Sequence, residues 1–138
     1  MSLQAKVTWQ SNMAFDATVN GHHIIMDTDS SGGGEDLGPR PKILLLAGLG
    51  GCTGMDVVAI LGKMKIVPEE FWMDISAEIS DEHPKVFNHI KLVYCFKGTG
   101  LDYDKLEKAV TISKEKYCAV SAMLSKTAEM QIEIKIVD

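Results

Sequence analysis

Residues 41–65, PKILLLAGLGGCTGMDVVAILGKMK, decide the fold. The run is apolar on nearly every side, Pro41 suits a first helical position, and no polar face develops before Lys63 and Lys65. A helix of this length, about 35 Å, is expected to be buried. Gly48, Gly50, Gly51 and Gly54 lie inside it. Each costs about 1 kcal/mol relative to Ala, so close approach of another backbone is expected to offset roughly 4 kcal/mol.

Upstream, residues 4–9, 14–19 and 22–27 have the composition of short strands, and Asn20-Gly21 is a strong two-residue hairpin signal. A three-stranded meander follows from this. Residues 29–41, DSSGGGEDLGPRP, have neither periodicity nor apolar mass and read as a mobile loop. Downstream, residues 71–81 and 86–97 alternate in polarity on either side of DEHPK, which predicts a hairpin of long strands. Residues 102–116 carry Leu106, Ala109, Val110 and Ser113 at helical spacing with Asp102 as N-cap. CAVSAMLSK, from Cys118, predicts a short further helix, and Met130, Ile132, Ile134 and Ile136 share one face of a last strand. The expected order is βββ-α-ββ-αα-β, an α+β protein of one domain over residues 1–138, without internal repeats.

Composition narrows the function classes. With 46% hydrophobic and 24% charged residues the chain reads as a globular protein. A net charge of −5, from 14 basic and 19 acidic residues, gives no positive stripe for phosphate backbones, so no nucleic-acid partner is expected. The first residues, MSLQAKVTWQS, lack the apolar stretch of a signal peptide, and no segment is expected to span a bilayer. A cytoplasmic location without a membrane partner is the resulting expectation. Three cysteines, none in a C-x-x-C pair, match neither a disulfide framework nor a zinc ribbon, and begin as thiols in a reducing compartment.

Two of those thiols sit in contrasting settings. Cys118, at the opening of a helix, lies where free backbone N–H groups favour a thiolate. Cys52 lies among Leu, Gly and Met, where desolvation disfavours the anion, and neighbouring Thr53 and Asp56 bring no positive charge. Arg40, the one arginine, would stand about 18 Å from Cys52 along a straight helix. Cys95, in a strand, reads as core filling. His83 and His89 are too widely spaced to form a metal site by themselves, and His22 and His23 point to opposite faces of a strand. No metal or cofactor is expected. The glycine run could belong to a dinucleotide-binding turn, but Thr53 occupies the position of the third glycine of G-x-G-x-x-G, and a hairpin follows instead of alternating strands and helices.

The element order, the central helix with GGCTGMDVV, the EHPKVF hairpin and the KYCAVSAML segment together resemble the OsmC/Ohr family of thiol-dependent peroxidases, over nearly the whole chain. The resemblance is strongest to the OsmC-like branch with a G-G-C-T central helix. It implies an intertwined homodimer that reduces organic hydroperoxides, an antioxidant stress-response role. By position Cys52 would be the peroxidatic thiol and Cys118 the resolving one, with an external dithiol as reductant. The family pairs an arginine from an N-terminal strand with a glutamate early in the central helix to activate the thiol. Here Lys42 stands at the glutamate position, the first 39 residues hold no arginine, and Ala119 follows the second cysteine where many members have proline. The implied activity is therefore weakened, with Arg40 as a candidate replacement activator. The alternatives are a noncatalytic OsmC-like module that binds small molecules and, ranking last, a dinucleotide-binding protein.

Overall fold

The computed structural model describes residues 1–138 and gives the expected order of elements. The chain forms two compact units, residues 1–45 and 46–138. In the first, strands β1 (Lys6–Ser11), β2 (Ala14–Val19) and β3 (His22–Met26) form an antiparallel meander in that order. Asn20 and Gly21 both have positive φ, 51° and 78°, as the tight hairpin turn requires. The register places Val7, Trp9, Phe15, Ala17, Ile24 and Met26 on one face. Of these, Val7, Trp9, Phe15 and Ile24 remain exposed.

Residues 29–41 are more organised than their composition suggests. Ser30–Gly32 form a 3₁₀ turn capped by the Asp29 side chain. The buried Asp27 carboxylate accepts from the backbone N–H groups of Thr28 at 2.7 Å, Glu35 at 3.1 Å and Leu37 at 3.1 Å. Gly38 passes so close to the Ile25 carbonyl that a Cβ there would collide with it. The sequence reading missed this because one side chain outside the segment orders it.

In the second unit, β4 (Glu70–Ile79) pairs antiparallel with β5 (Phe87–Lys97), and β5 pairs parallel with β6 (Glu129–Val137). The parallel pair needs a crossover, here α2 (Tyr103–Ile112), a π-helical turn (Ser113–Tyr117) and α3 (Ala119–Leu124). The expected helix over 102–116 thus changes character at Ser113, although Asp102 caps it as anticipated. Register aligns Ala77, Ile90 and Met130, then Ile75, Leu92 and Ile132, then Met73, Tyr94 and Ile134, then Phe71, Phe96 and Ile136, in rows across one face of the sheet. Phe71 stacks on Phe96 with ring centroids 4.5 Å apart.

The central helix, α1, spans Pro41–Lys63. Its Leu46, Leu49, Thr53, Val57 and Leu61 are buried, each large aliphatic side chain contributing about 1.5–3 kcal/mol. Within one chain α1 is not buried on all sides. Met55 and Val58 remain 77% and 58% exposed, and an apolar groove of about 520 Å³ is lined by Gly50, Gly51, Gly54, Met55, Phe71 and Met73, among others. Nor do the glycines meet a backbone within this unit. A Cβ on Gly50 or Gly54 would press on the tips of Ile75 or Met73, and at Gly48 and Gly51 it would meet open space. The expectation about membrane-spanning length is also corrected. By length and composition α1 is apolar enough to cross a bilayer, with mean hydropathy 1.9 over 18 residues, because its glycines and single Asp56 barely lower the average.

The Asp27 carboxyl is held below its ordinary value by the Thr28 N–H first, then by those of Leu37 and Glu35, against the opposing effect of burial. Its depressed folded pKa means that the stabilisation is complete above the unfolded value and lost as pH falls through the folded one. An NMR titration should therefore show the Glu35 and Leu37 amide signals moving together with Asp27 protonation, below the usual carboxylate range. In Asp27→Ala those amides should lose exchange protection at neutral pH, while amides in β5 keep theirs.

Candidate functional site

Cys52, on α1, and Cys118, the N-cap of α3, are brought together from distant sequence. Their sulfur atoms and a carboxylate oxygen of Asp56 all lie within 4.8 Å of one another. Cys52 and Asp56 are one helical turn apart on the same face of α1, as i,i+4 spacing dictates. Cys52 and Asp56 are half-buried, whereas Cys118 is buried. No disulfide joins the thiols.

Behind the thiols runs a buried chain of hydroxyls. Thr53 Oγ1 lies 2.8 Å from Tyr94 OH and 2.8 Å from Ser113 Oγ, and Ser113 Oγ donates to Asp56 Oδ2 at 3.0 Å. Each hydroxyl has a single proton. Since Ser113 gives its proton to Asp56, it must accept from Thr53, which in turn accepts from Tyr94. The direction of the whole chain is thereby fixed, from Tyr94 to the carboxylate. Burial, partly opposed by the hydrogen bond to Thr53, raises the Tyr94 pKa and keeps the phenol a donor.

The π-helical turn joins this chain to the thiols. Ser113 sends its side chain to Asp56, and its carbonyl accepts the Cys118 N–H at 2.7 Å. Insertions of this type place side chains out of α-register and recur at functional sites. Cys118 Sγ accepts from Ser121 N at 3.4 Å, the cap geometry foreseen from sequence. The expected preference for a thiolate does not follow. Burial first, with further contributions from Cys52 and Asp56, outweighs the Ser121 N–H and pushes the Cys118 thiol up to about 11. The short helix supplies too little positive field to offset a buried position between two groups that become anions.

Arg40 is engaged within its own unit. Its guanidinium bonds Asp36 at 2.6 Å and the Gly38 carbonyl at 3.1 Å, with Asp29 at 3.9 Å. Cys95 is buried on the opposite face of the sheet from Tyr94, with Asp74 Oδ2 3.9 Å from its sulfur, and takes no part in the thiol pair. His23 contacts Asp16 at 2.9 Å. Sequence reasoning missed Tyr94 and Ser113 as site residues. Their signal was a hydroxyl on an otherwise apolar stripe, Ser113 in phase with Leu106, Ala109 and Val110, and Thr53 inside the apolar helix.

Known proteins share the fold. The family model for OsmC-like protein matches residues 32–134. Protein YhfA of Escherichia coli K12 is 33% identical over 136 residues, which cover 98% of each chain. A hypothetical protein from Aquifex aeolicus VF5 superposes with a TM-score of 0.88 at 27% identity, covering 99% of this chain and 97% of its own. The organic hydroperoxide resistance protein OhrB of Bacillus subtilis shares the fold, with a TM-score of 0.65 at 22% identity over 96% of this chain and 98% of its own.

Replacing Thr53 by Val preserves shape but leaves the Tyr94 hydroxyl without its acceptor and removes a donor from Ser113. Urea denaturation should register a loss of about 1–3 kcal/mol. Thr53→Val combined with Tyr94→Phe should cost less than the sum of the single changes, because the second removes the group that the first strands. The α+β fold of the chain, the α1 cysteine close to a second thiol, and the match over residues 32–134 lead to one assignment: this chain belongs to the OsmC-like protein family.

Proposed function

We propose that the protein is a thiol-dependent peroxidase that reduces organic hydroperoxides through Cys52 and Cys118. The observation that carries this reading is the convergence of the two sulfur atoms to within 4.8 Å, one half-buried and one buried. Shared fold with the hydroperoxide resistance protein of Bacillus subtilis supports it. In the proposed cycle the Cys52 thiolate attacks the outer peroxide oxygen and the O–O bond breaks. The alkoxide leaves as an alcohol after taking a proton, and Cys52 becomes a sulfenic acid. Cys118 then attacks that sulfur, its proton leaves with the hydroxide as water, and a disulfide forms. An external dithiol returns both residues to thiols and is itself oxidised to a disulfide.

The half-buried Cys52, the more accessible of the two, suits the attacking role and the protonated, buried Cys118 the resolving one. What the site lacks is an arginine in its own unit, although Lys63 lines the cleft beside Asp56. Burial first, then Cys52 and Asp56, disfavour a charge on Cys118, and only the Ser121 N–H favours it. Turnover should therefore be slower by one to three orders of magnitude than in members with the arginine–glutamate pair, at about 1.4 kcal/mol per factor of ten. The same observation favours the second reading, a noncatalytic binding module. Consumption of cumene hydroperoxide with a lipoyl-type dithiol separates the two. Peroxidase chemistry requires loss of turnover in Cys52→Ser and retention of a single-turnover burst in Cys118→Ser. Equal rates in wild type and Cys52→Ser would leave the binding module. A loss in Arg40→Ala would assign activation to that residue, whose bond to Asp36 would have to open.

The active form is proposed to be a cytoplasmic homodimer. Each unit carries an unpartnered apolar face, Val7, Trp9 and Phe15 in one, Met55 and Val58 in the other. A covering of this kind calls for an interface on the order of 2,000 Å² or more. Gly51 provides a sharp test. In an isolated chain its Cβ position is open, so Gly51→Ala should stabilise the helix by about 1 kcal/mol. Against a partner's backbone the same change should weaken association, seen as a fall in sedimentation coefficient on dilution. A wild-type chain that sediments as a folded monomer at micromolar concentration contradicts the dimer.

A further inference from the structure

We infer that Cys52, Asp56 and Cys118 form a three-donor site for a single thiophilic d¹⁰ divalent cation of the zinc and cadmium class, available only while both thiols are reduced. Two sulfurs and a carboxylate oxygen converge within 4.8 Å of one another, all three from one unit. In a tetrahedral zinc site, bonds of about 2.3 Å to sulfur and 2.0–2.2 Å to oxygen put donors roughly 3.3–3.8 Å apart. The observed spread is thus within about 1 Å of closure.

The supporting structure is that of a ligand site. Cys52 and Asp56 project from one face of α1 a turn apart, which fixes two donors on a rigid element. Cys118 is fixed by the bond from its N–H to the Ser113 carbonyl, and Asp56 is oriented by the Ser113 hydroxyl at 3.0 Å. One residue therefore aligns two of the three donors, the outer-sphere role that metal sites use to hold their ligands. Half-exposure of Cys52 leaves a fourth position for water or a ligand, and Asp56 also lines a cleft of about 360 Å³ with Ala59, Ile60, Lys63, Ile112 and Tyr117. Sulfur donors select against magnesium and calcium and toward softer ions.

A chemical consequence follows without any appeal to peroxide chemistry. Binding replaces thiol protons by the cation, and each ion bound releases them. A Cys52–Cys118 disulfide, whose formation removes two electrons and two protons to an added oxidant, deletes two of the three donors. Metal occupancy and thiol oxidation thus exclude one another.

The full chain, reduced and anaerobic, is titrated with Cd²⁺ alone and followed by thiolate-to-metal charge-transfer absorption, with Zn²⁺ added in competition. The expected result is saturation at one ion per chain, displacement by Zn²⁺, and loss of the signal after oxidation by diamide. Cys52→Ser should abolish the signal, Asp56→Asn should weaken affinity at least tenfold, and Cys95→Ser should change neither. Circular dichroism of each variant checks its fold, and the diamide experiment needs no substitution at all. Absence of the band, a band insensitive to diamide or to a folded Cys52→Ser, or full affinity in Asp56→Asn would overturn the three-donor site. Because the readout involves no hydroperoxide, it is independent of whether the protein proves to be a peroxidase.

Discussion

The Thr53 hydroxyl is the constraint on which the site depends. It is a polar atom in the buried row of an otherwise apolar helix, and it is satisfied only if β5 supplies Tyr94 and the π-helical turn supplies Ser113. A buried hydroxyl left unpaired costs on the order of 1–3 kcal/mol, a large share of a small protein's net stability. Apolar packing alone would tolerate small rotations and slides of α1 against the sheet. The directional bonds of Thr53 do not, and since Cys52 is its immediate neighbour in sequence, they also fix where that thiol points.

Asp56 gives the site its electrical character. It terminates the hydroxyl chain as an acceptor, stands one turn from Cys52, and adds negative charge to a place already occupied by two thiols. An arginine in that setting would turn the same cluster into an anion-stabilising site. Without one nearby in its own unit, the cluster has the electrostatics of a cation site, and its thiols gain most from a positively charged visitor.

Much of the architecture was legible because it rests on local periodicity. The alternation in residues 71–81, 86–97 and 128–138 identified β4, β5 and β6, and Asn20-Gly21 located the β2–β3 turn. The cysteine pairing came through family resemblance, since no local rule relates residues 66 positions apart. Three things were hidden for physical reasons. Exposure on one side of α1 cannot be read from a run that is apolar all round, because composition says what a helix can bury and not how much cover one chain provides. The Asp27 carboxylate orders a glycine-rich segment through long-range bonds that leave no periodic trace. The thiol of Cys118 was expected to ionise readily from its cap position, but its burial and its neighbours are tertiary facts.

The π-helical turn over Ser113–Tyr117 has a consequence of a different kind, one of phase. Such a turn is an α-helix carrying one residue too many, and each residue of an α-helix advances the direction of a side chain by about 100°. The extra residue lets Ser113 face Asp56 while its carbonyl still holds the backbone of Cys118. Removing one residue from the turn would make the bond between the Cys118 N–H and the Ser113 carbonyl an ordinary i→i+4 pair, so the segments before and after the turn would keep their relative phase. The extra residue is therefore taken up inside the turn, so that the chain gains a residue at this point and still brings Cys118 to Cys52.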